Sequence, residues 1–566
     1  MEGPEDTHRS GPSSRLPWIA FGLLCAGLLT LFLVYPTYPN YDSYYSLLWA
    51  REIWDGQKPV FDAFRAPTEH PLAILFSMFL TPFGQGADRV VVFCAMASVA
   101  ALGAGMYQLA KLAFNRWVGL VAGVLLVANW DLILLAVRGY LDVTYMALVL
   151  WAAVLETRRR RRGWPTMLLL TLAGTLRPEA WVLCGLYGLW MAWDGAHVLR
   201  DGRIALREGL SRVLTRRGIT WLALGCVATG LWLATDTVVT GNPLFSQTYT
   251  SGLAEELGRT QSPLAIPFTT ISFLRGIDGL PLFVAGLVGL LTTLWIVPYR
   301  ATMPLVLFVA GIGTFFLLGF GGFSVIDRYL LVPAALLLIF AAVLLVGWTL
   351  MPEGRVRTWW ARASLLGGIG VVVVGAVNLQ PNSLANDLKF RGDAHKDLVR
   401  VLDEPQVRAA LKCGPLWTPN HKLVPDSRWI LDAGNAEVLP RSMLKPALFD
   451  TDVTGYGSPD RRVARKAVPD AEGLRGPDGR LLYVTVKGPN GTPKRDSRGD
   501  VLKTTVPNPT PTVTRGVALL PTSRLALVRQ GYVFVGDDRA FDVIPPAGFR
   551  RIATSTHYAV YASCRP

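Results

Sequence analysis

The sequence predicts a polytopic α-helical membrane protein of about eleven transmembrane helices, followed by a C-terminal extracytoplasmic domain of mixed α/β structure. Three observations predict it. Apolar residues make up 51% of the 566 positions while 17% are charged, so the two kinds must be segregated along the chain. Apolar runs long enough for a bilayer core of about 30 Å recur from Pro17 to Asn378. Basic residues collect in alternate short loops, the pattern of cytoplasmic loops.

Taken in order, the expected spans are 17–36, 87–110, 118–137, 141–157, 164–177, 179–193, 218–238, 280–297, 303–320, 329–350 and 363–378. The basic loops hold Lys111 with Arg116, then Arg158 to Arg162, the Arg200–Arg217 loop, Arg300, and Arg355 with Arg357 and Arg362. These are assigned to the cytoplasm. The intervening stretches, 37–86, 138–141, 177–179, 239–279, 321–328 and everything after Asn378, are assigned to the outside. An odd number of spans puts the two termini on opposite sides. Residues 1–16 are then a cytoplasmic tail, 17–378 a transmembrane catalytic domain with first exterior loop 37–86, and 379–566 an extracytoplasmic domain. Residues 71–84, apolar but short and bounded by Pro71 and Pro82, are expected to form a membrane-embedded or re-entrant helix, with a full crossing as the alternative.

The formal net charge of +15 would suggest nucleic acid in a soluble protein, but here it is spent in membrane loops facing anionic lipid, so no nucleic-acid partner is expected. In the tail, a helical pattern over Asp397–Leu411 precedes alternating runs such as LLYVTV, GYVFVG and YAVYAS, with a Gly/Pro/Thr-rich loop over 488–515. Cys25, Cys94, Cys184 and Cys226 lie in apolar spans, whereas Cys413 and Cys564 stand alone in the tail. In an oxidising compartment these two can pair; two buried thiols are the alternative. No CxxC or HExxH pattern occurs, so no metal site is expected.

Ionisable groups at the membrane boundary are costly and tend to mark function. Asp42, Glu69, His70, Arg138, Asp142, Arg177, Glu179, Asp327 and Arg328 all map to outward ends of spans. Five motifs run through them: Asp42-Ser43-Tyr44-Tyr45 after the first span, Glu69-His70-Pro71-Leu72, Arg138 to Asp142, Ala173 to Glu179 with its Arg177-Pro178, and Arg328-Tyr329-Leu330-Leu331-Val332-Pro333.

In order and sidedness these motifs resemble the GT-C superfamily of integral-membrane glycosyltransferases, in particular the branch of protein O-mannosyltransferases and aminoarabinose transferases. The resemblance covers roughly residues 17–350. The chain departs from the family pattern at Ser43, where a second acid is common, and at Leu72, where a second proline is common.

The resemblance implies a multi-pass enzyme of the cytoplasmic (inner) membrane of a bacterium. It would move a sugar, with inversion, from a polyprenyl-phosphate donor to an acceptor hydroxyl on the outer face. The acceptor is a glycan, a lipid or a protein, and no cofactor is required.

Asp42 is the expected general base, although it also suits a helix N-cap. Asp142 would position the acceptor or orient an arginine. His70, Arg138 and Arg328 would hold the donor phosphate, with Glu69, Arg177, Glu179, Tyr45 and Tyr329 as further candidates. Two other classes fit the composition: a transporter or flippase of lipid-linked saccharides, and a membrane-anchored glycan-binding assembly protein. Against the transporter, no internal repeat is detected.

Overall fold

The computed structural model describes residues 15–35, 37–193, 215–256, 259–378, 381–444, 468–470, 473–475, 483–485, 495, 501, 503–505, 513, 515–522, 545–546 and 548–564. Most of the 200–217 basic loop, the GYVFVG run and most of 488–515 lie outside the described residues. The chain forms two compact units, one of residues 1–46 with 68–380 and the other of residues 47–67 with 381–566. Part of the expected first exterior loop therefore belongs with the tail.

The first unit is helical: α1 (Leu16–Val34), the start of α2 (Tyr41–Trp54), α3 (Pro71–Leu80), α4 (Ala87–Ala113), α5 (Arg116–Val127), α6 (Trp130–Val137), α7 (Leu141–Arg158), α8 (Trp164–Leu176), α9 (Glu179–Ala192), α10 (Arg216–Gly225), α11 (Val227–Thr240), α12 (Phe245–Glu256), α13 (Ile266–Ile296), α14 (Thr302–Phe320), α15 (Leu331–Val346) and α16 (Arg355–Asn378). Among the described residues five helical stretches are long and apolar enough to cross a membrane, or up to seven if each bent pair is one span. The apolar helices make this a multi-pass membrane protein. The expected number of eleven is not reached by length and composition because several helices are short: α8 and α9, of 13 and 14 residues, reach only about 20 Å.

The boundaries differ from expectation where polar residues break helices. Span 118–137 is two helices at 59°, parted by Asn129, whose side chain caps α6 at the Leu132 amide and donates to the carbonyl of Ile277. Span 218–238 is likewise two helices at 51°, meeting at Cys226. The expected exterior loop 239–279 instead holds α12 and the first half of α13, which reaches back to Ile266 before a break at Gly279 (φ 74°) and Pro281. Residues 71–84 form α3 and a 3-10 turn; at about 15 Å, α3 alone is too short to span the core.

Apolar on every side, α15 is buried from Leu331 to Val343. Gly286 and Gly289 let α13 lie against it: a Cβ at Gly289 would collide with the Phe340 carbonyl oxygen.

In the second unit, α17 (Pro381–Asp403), α18 (Pro405–Ala410) and α19 (Val424–Leu431) pack with a five-stranded sheet of order β2-β1-β7-β9-β8. Its strands are β1 (Leu416–Thr418), β2 (Val438–Pro440), β7 (Gly516–Pro521), β8 (Arg550–Thr554) and β9 (Tyr558–Ser563), with β1 parallel to β2 and β7 and the rest antiparallel. The short pairs β3–β4 (Val468–Asp470, Gly473–Arg475) and β5–β6 (Tyr483–Thr485, Lys503–Thr505) stand apart from it. Leu398, Val401, Leu402, Leu416, Val517 and Val560 fill the core. Cys413 and Cys564 are joined by a disulfide across 151 residues of sequence, with Cα atoms 5.2 Å apart.

Gly289→Leu should unfold the first unit at markedly lower temperature in detergent, because no side chain fits against the α15 backbone. Gly279→Ala should cost about 1–3 kcal/mol for its left-handed backbone alone. A thermal melt of each variant checks both.

Candidate active site

The site begins where α2 begins. Asn40 caps this helix: its Oδ1 accepts from the Ser43 amide at 2.9 Å, and its carbonyl accepts from the Tyr44 amide at 3.0 Å. The cap is therefore Asn40 and not Asp42, whose carboxylate is left for other partners. The same turn is tied to the α6–α7 junction, since the Asn40 amide donates to the Arg138 carbonyl (2.6 Å) and Ser43 Oγ donates to the Gly139 carbonyl (2.6 Å). Thr37 Oγ1 donates to the Val137 carbonyl beside them. Gly139 takes φ 65°, which glycine adopts without strain, and this presents two successive carbonyls to α2.

Five charged side chains from four regions then form one alternating series. Arg177, at the α8–α9 junction, donates through Nε and Nη2 to Glu179 Oε1 (3.0 and 2.8 Å) and through Nη1 to Asp142 Oδ1 (2.5 Å). The other oxygen of Asp142 faces Arg328 Nη1 at 3.4 Å, and the same nitrogen lies 3.6 Å from Asp42 Oδ2. The order is Glu179, Arg177, Asp142, Arg328, Asp42. The series runs from buried to accessible: side-chain exposure is 2% for Asp142 and 8% for Arg177, but 30% for Arg328 and 24% for Asp42. A buried guanidinium needs paired carboxylates to offset its desolvation, and Arg177 has two. Arg328 shares its carboxylates in looser geometry, at distances where a stronger anion can compete.

Aromatic rings line the cations. Arg328 and Arg138 each lie 5.2 Å from the centre of the Tyr140 ring, and Arg177 lies 5.4 Å from Tyr329 and 5.9 Å from Tyr145. Tyr45 is buried and packs edge-on against Tyr41 at 5.0 Å.

Glu69 stands in a separate buried cluster. Its Oε1 accepts from Trp232 Nε1 (3.1 Å) and from Ser246 Oγ, and Ser246 is also bonded to Asp236 through Oγ (2.7 Å) and its amide (3.0 Å). Burial pushes the Glu69 carboxyl well above the usual carboxylate range, and the neighbouring Asp236 carboxylate adds to the rise. The cluster fastens the start of α12 to the Glu69-His70 loop, helped by a 2.8 Å bond between Thr68 and Thr250. Next to it, His70 packs edge-on to Trp232 at 5.9 Å. Burial lowers its pKa to about 4, with Arg177 adding to the fall and Asp42, Asp142 and Glu179 opposing it. The imidazole is therefore neutral across the physiological range and could offer a phosphate a hydrogen bond but no charge.

Trp232, Asp236 and Ser246 were not among the residues expected from the sequence. Asp236, an acid inside an apolar run, was the available signal. Among the described residues no group of three or more His, Cys, Asp or Glu is arranged to hold a metal ion.

No protein-family model matches the chain, and no curated protein matches it in sequence. Among solved structures it is similar to ArnT from Cupriavidus metallidurans. In the apo state the identity is 14% and the TM-score 0.48, over 97% of this chain and 98% of that one. With undecaprenyl phosphate bound the values are 13% and 0.47, over 96% and 98%. It is also similar to the oligosaccharyltransferase AglB from Archaeoglobus fulgidus in complex with an inhibitory peptide and a dolichol-phosphate, at 10% identity and a TM-score of 0.42, over 75% of this chain and 65% of that one.

Two pH effects follow from the buried groups. The unfolded chain protonates His70 as pH falls through about 6.5, whereas the folded chain does so only near 4. The stability this contributes is complete above 6.5 and is lost between 6.5 and 4; His70→Asn should flatten that limb of a melting-temperature profile. Glu69 has the opposite sign. Its raised pKa gives stability that is complete in acid and lost as pH rises past the ordinary carboxylate value, so Glu69→Gln should remove the alkaline decline.

Proposed function

We propose that this protein is an inverting glycosyltransferase that moves a sugar from a polyprenyl-phosphate donor to an acceptor hydroxyl on the outer face of the cytoplasmic membrane. The observation that carries the reading is the accessible Asp42–Arg328 pair at the end of a buried charge series. It sets a carboxylate that caps no helix beside a guanidinium whose ion pairs are long.

In the proposed step the Asp42 carboxylate takes the acceptor O–H proton as the acceptor oxygen bonds to the anomeric carbon. The bond from that carbon to the phosphate oxygen breaks, and its electron pair leaves with the polyprenyl phosphate. Attack opposite the leaving group inverts the anomeric centre. Charge grows on the phosphate as the bond breaks, and a fixed guanidinium already aimed at it lowers the barrier without reorganisation. Arg328 is assigned that role, with Arg138 beside it on Tyr140.

Asp142 and Arg177 act behind them. Asp142 holds Arg328 in direction, and Arg177 with Glu179 holds Asp142. His70 contributes as a neutral hydrogen-bond donor. The acceptor is a glycan, a lipid or a protein, each of which presents a hydroxyl to the same base.

Asp42→Asn keeps the size of the side chain but removes its basicity. Transfer from a labelled polyprenyl-phosphate sugar should fall by about 10²–10⁴-fold, with the melting temperature unchanged. Wild-type transfer by a folded Asp42→Asn protein contradicts the assignment.

A further inference from the structure

The far end of α7 carries a structure that the charge series does not use. The helix runs 18 residues from Leu141 to Arg158, about 27 Å at 1.5 Å per residue, against a bilayer core of about 30 Å. The turn that follows it therefore emerges at the headgroup layer opposite Asp142. Glu156, the one acid between Asp142 and Glu179 in the sequence, is buried beside this turn and accepts four hydrogen bonds. Its Oε1 takes the Arg161 amide (2.5 Å) and Trp190 Nε1 (3.1 Å), and its Oε2 takes the Arg162 amide (3.1 Å) and the Tyr187 hydroxyl (2.9 Å). That hydroxyl accepts in turn from the Gly163 amide at 2.9 Å. Arg161 stands at φ 57°, and its guanidinium folds back onto α9, donating to the Trp190 carbonyl (2.8 Å) and lying 4.9 Å from the centre of that ring.

One arginine is thus committed to the fold, and four face outward. Arg158, Arg159, Arg160 and Arg162 are exposed, and among the described residues none of their guanidinium groups is in an ion pair. Two indoles flank them, Trp164 and Trp190, both exposed as residues of a headgroup layer are. Beside them the exposed Arg216 and Arg217 open α10, whose Trp221 ring lies against Gly163.

We propose that this turn is a receptor for the phosphodiester headgroup of an anionic phospholipid, held in shape by Glu156. A basic loop needs only its charge to settle which side of a membrane it occupies, and its conformation is irrelevant to that task. This turn departs from that minimum in two ways. It keeps a carboxylate buried among arginines, which weakens their attraction for anions, and it holds a non-glycine residue in the left-handed region that side chains rarely adopt. Both features make sense where the direction of the guanidinium groups matters, since arginine grips phosphate oxygens through a planar fork. The ligand is a lipid and not a soluble phosphate, because the exposed indoles set apolar surface beside the charges, which acyl chains cover.

The test titrates the full-length protein, in neutral detergent, with tail-labelled phosphatidylglycerol and follows fluorescence anisotropy. Binding should saturate and be tighter than that of tail-labelled phosphatidylcholine, whose phosphate charge is balanced by choline. Each arginine near an anionic lipid is worth about fivefold in affinity, so Arg159→Gln with Arg160→Gln should weaken binding about 25-fold. Glu156→Gln is the deciding variant. It sets an amide N–H against donors and so opens the turn, while adding one net positive charge. Attraction by charge alone predicts binding about fivefold tighter, whereas the receptor predicts binding at least about fivefold weaker.

Should Glu156→Gln not fold, Trp190→Phe removes one of the four donors, keeps a ring under Arg161 and should also weaken binding. Unchanged or tighter binding by folded Glu156→Gln, or by Trp190→Phe in its place, overturns the proposal. So does wild-type affinity in the Arg159, Arg160 double variant. Displacement of the labelled lipid by an equal concentration of inorganic phosphate would assign the turn to a soluble anion and overturn it as well.

Discussion

A single buried guanidinium organises the first unit. Arg177 sits at the α8–α9 junction with almost no solvent contact and can remain charged only because Glu179 and Asp142 flank it. Once Asp142 is committed to Arg177 on one oxygen, its other oxygen is directed at Arg328, and Arg328 in turn comes within reach of Asp42. Each partner constrains the next, from the most buried to the most accessible. Removing Arg177 would leave two carboxylates buried together, a greater cost than losing either ion pair alone.

The backbone around this series is arranged to keep it. Pro178 starts α9 just after Arg177, and Gly139 turns the chain so that successive carbonyls can receive Asn40 and Ser43. Ser43 is informative in this respect. Its hydroxyl donates to the Gly139 carbonyl, so the position anchors α2, and Asp42 is the acid of that turn. Glu69 is held in its own cluster with Ser246 and Asp236, fastening α12 to the loop that carries His70.

Much of this was legible in the sequence because membrane burial makes charge conspicuous. Arg177, Glu179, Asp142 and Arg328 stood out as polar groups at the ends of apolar runs, and the alternation of basic loops put them on a common side. Their ranking was not legible. Arg177 and Glu179 read as a polar break beside a proline, and their central place depends on Asp142, 35 residues away in sequence.

Helix breaks at Asn129 and Cys226 were hidden because hydropathy averages over a window, while a break depends on one side-chain cap or one turn. The attachment of residues 47–67 to the tail was hidden for another reason: it rests on pairs such as Glu52 and Arg428, 376 residues apart, which no local pattern encodes.

In the proposed reaction Arg328 exchanges its long contact with Asp42 for the donor phosphate, which frees Asp42 to act as base. The most direct measurement is an experimental structure of the protein with a non-hydrolysable polyprenyl-phosphonate sugar bound. The account predicts the Arg328 guanidinium within hydrogen-bond distance of the phosphonate oxygens and the Asp42 carboxylate on the opposite side of the anomeric carbon. A phosphonate held elsewhere, with the Arg328–Asp42 pair undisturbed, would contradict it.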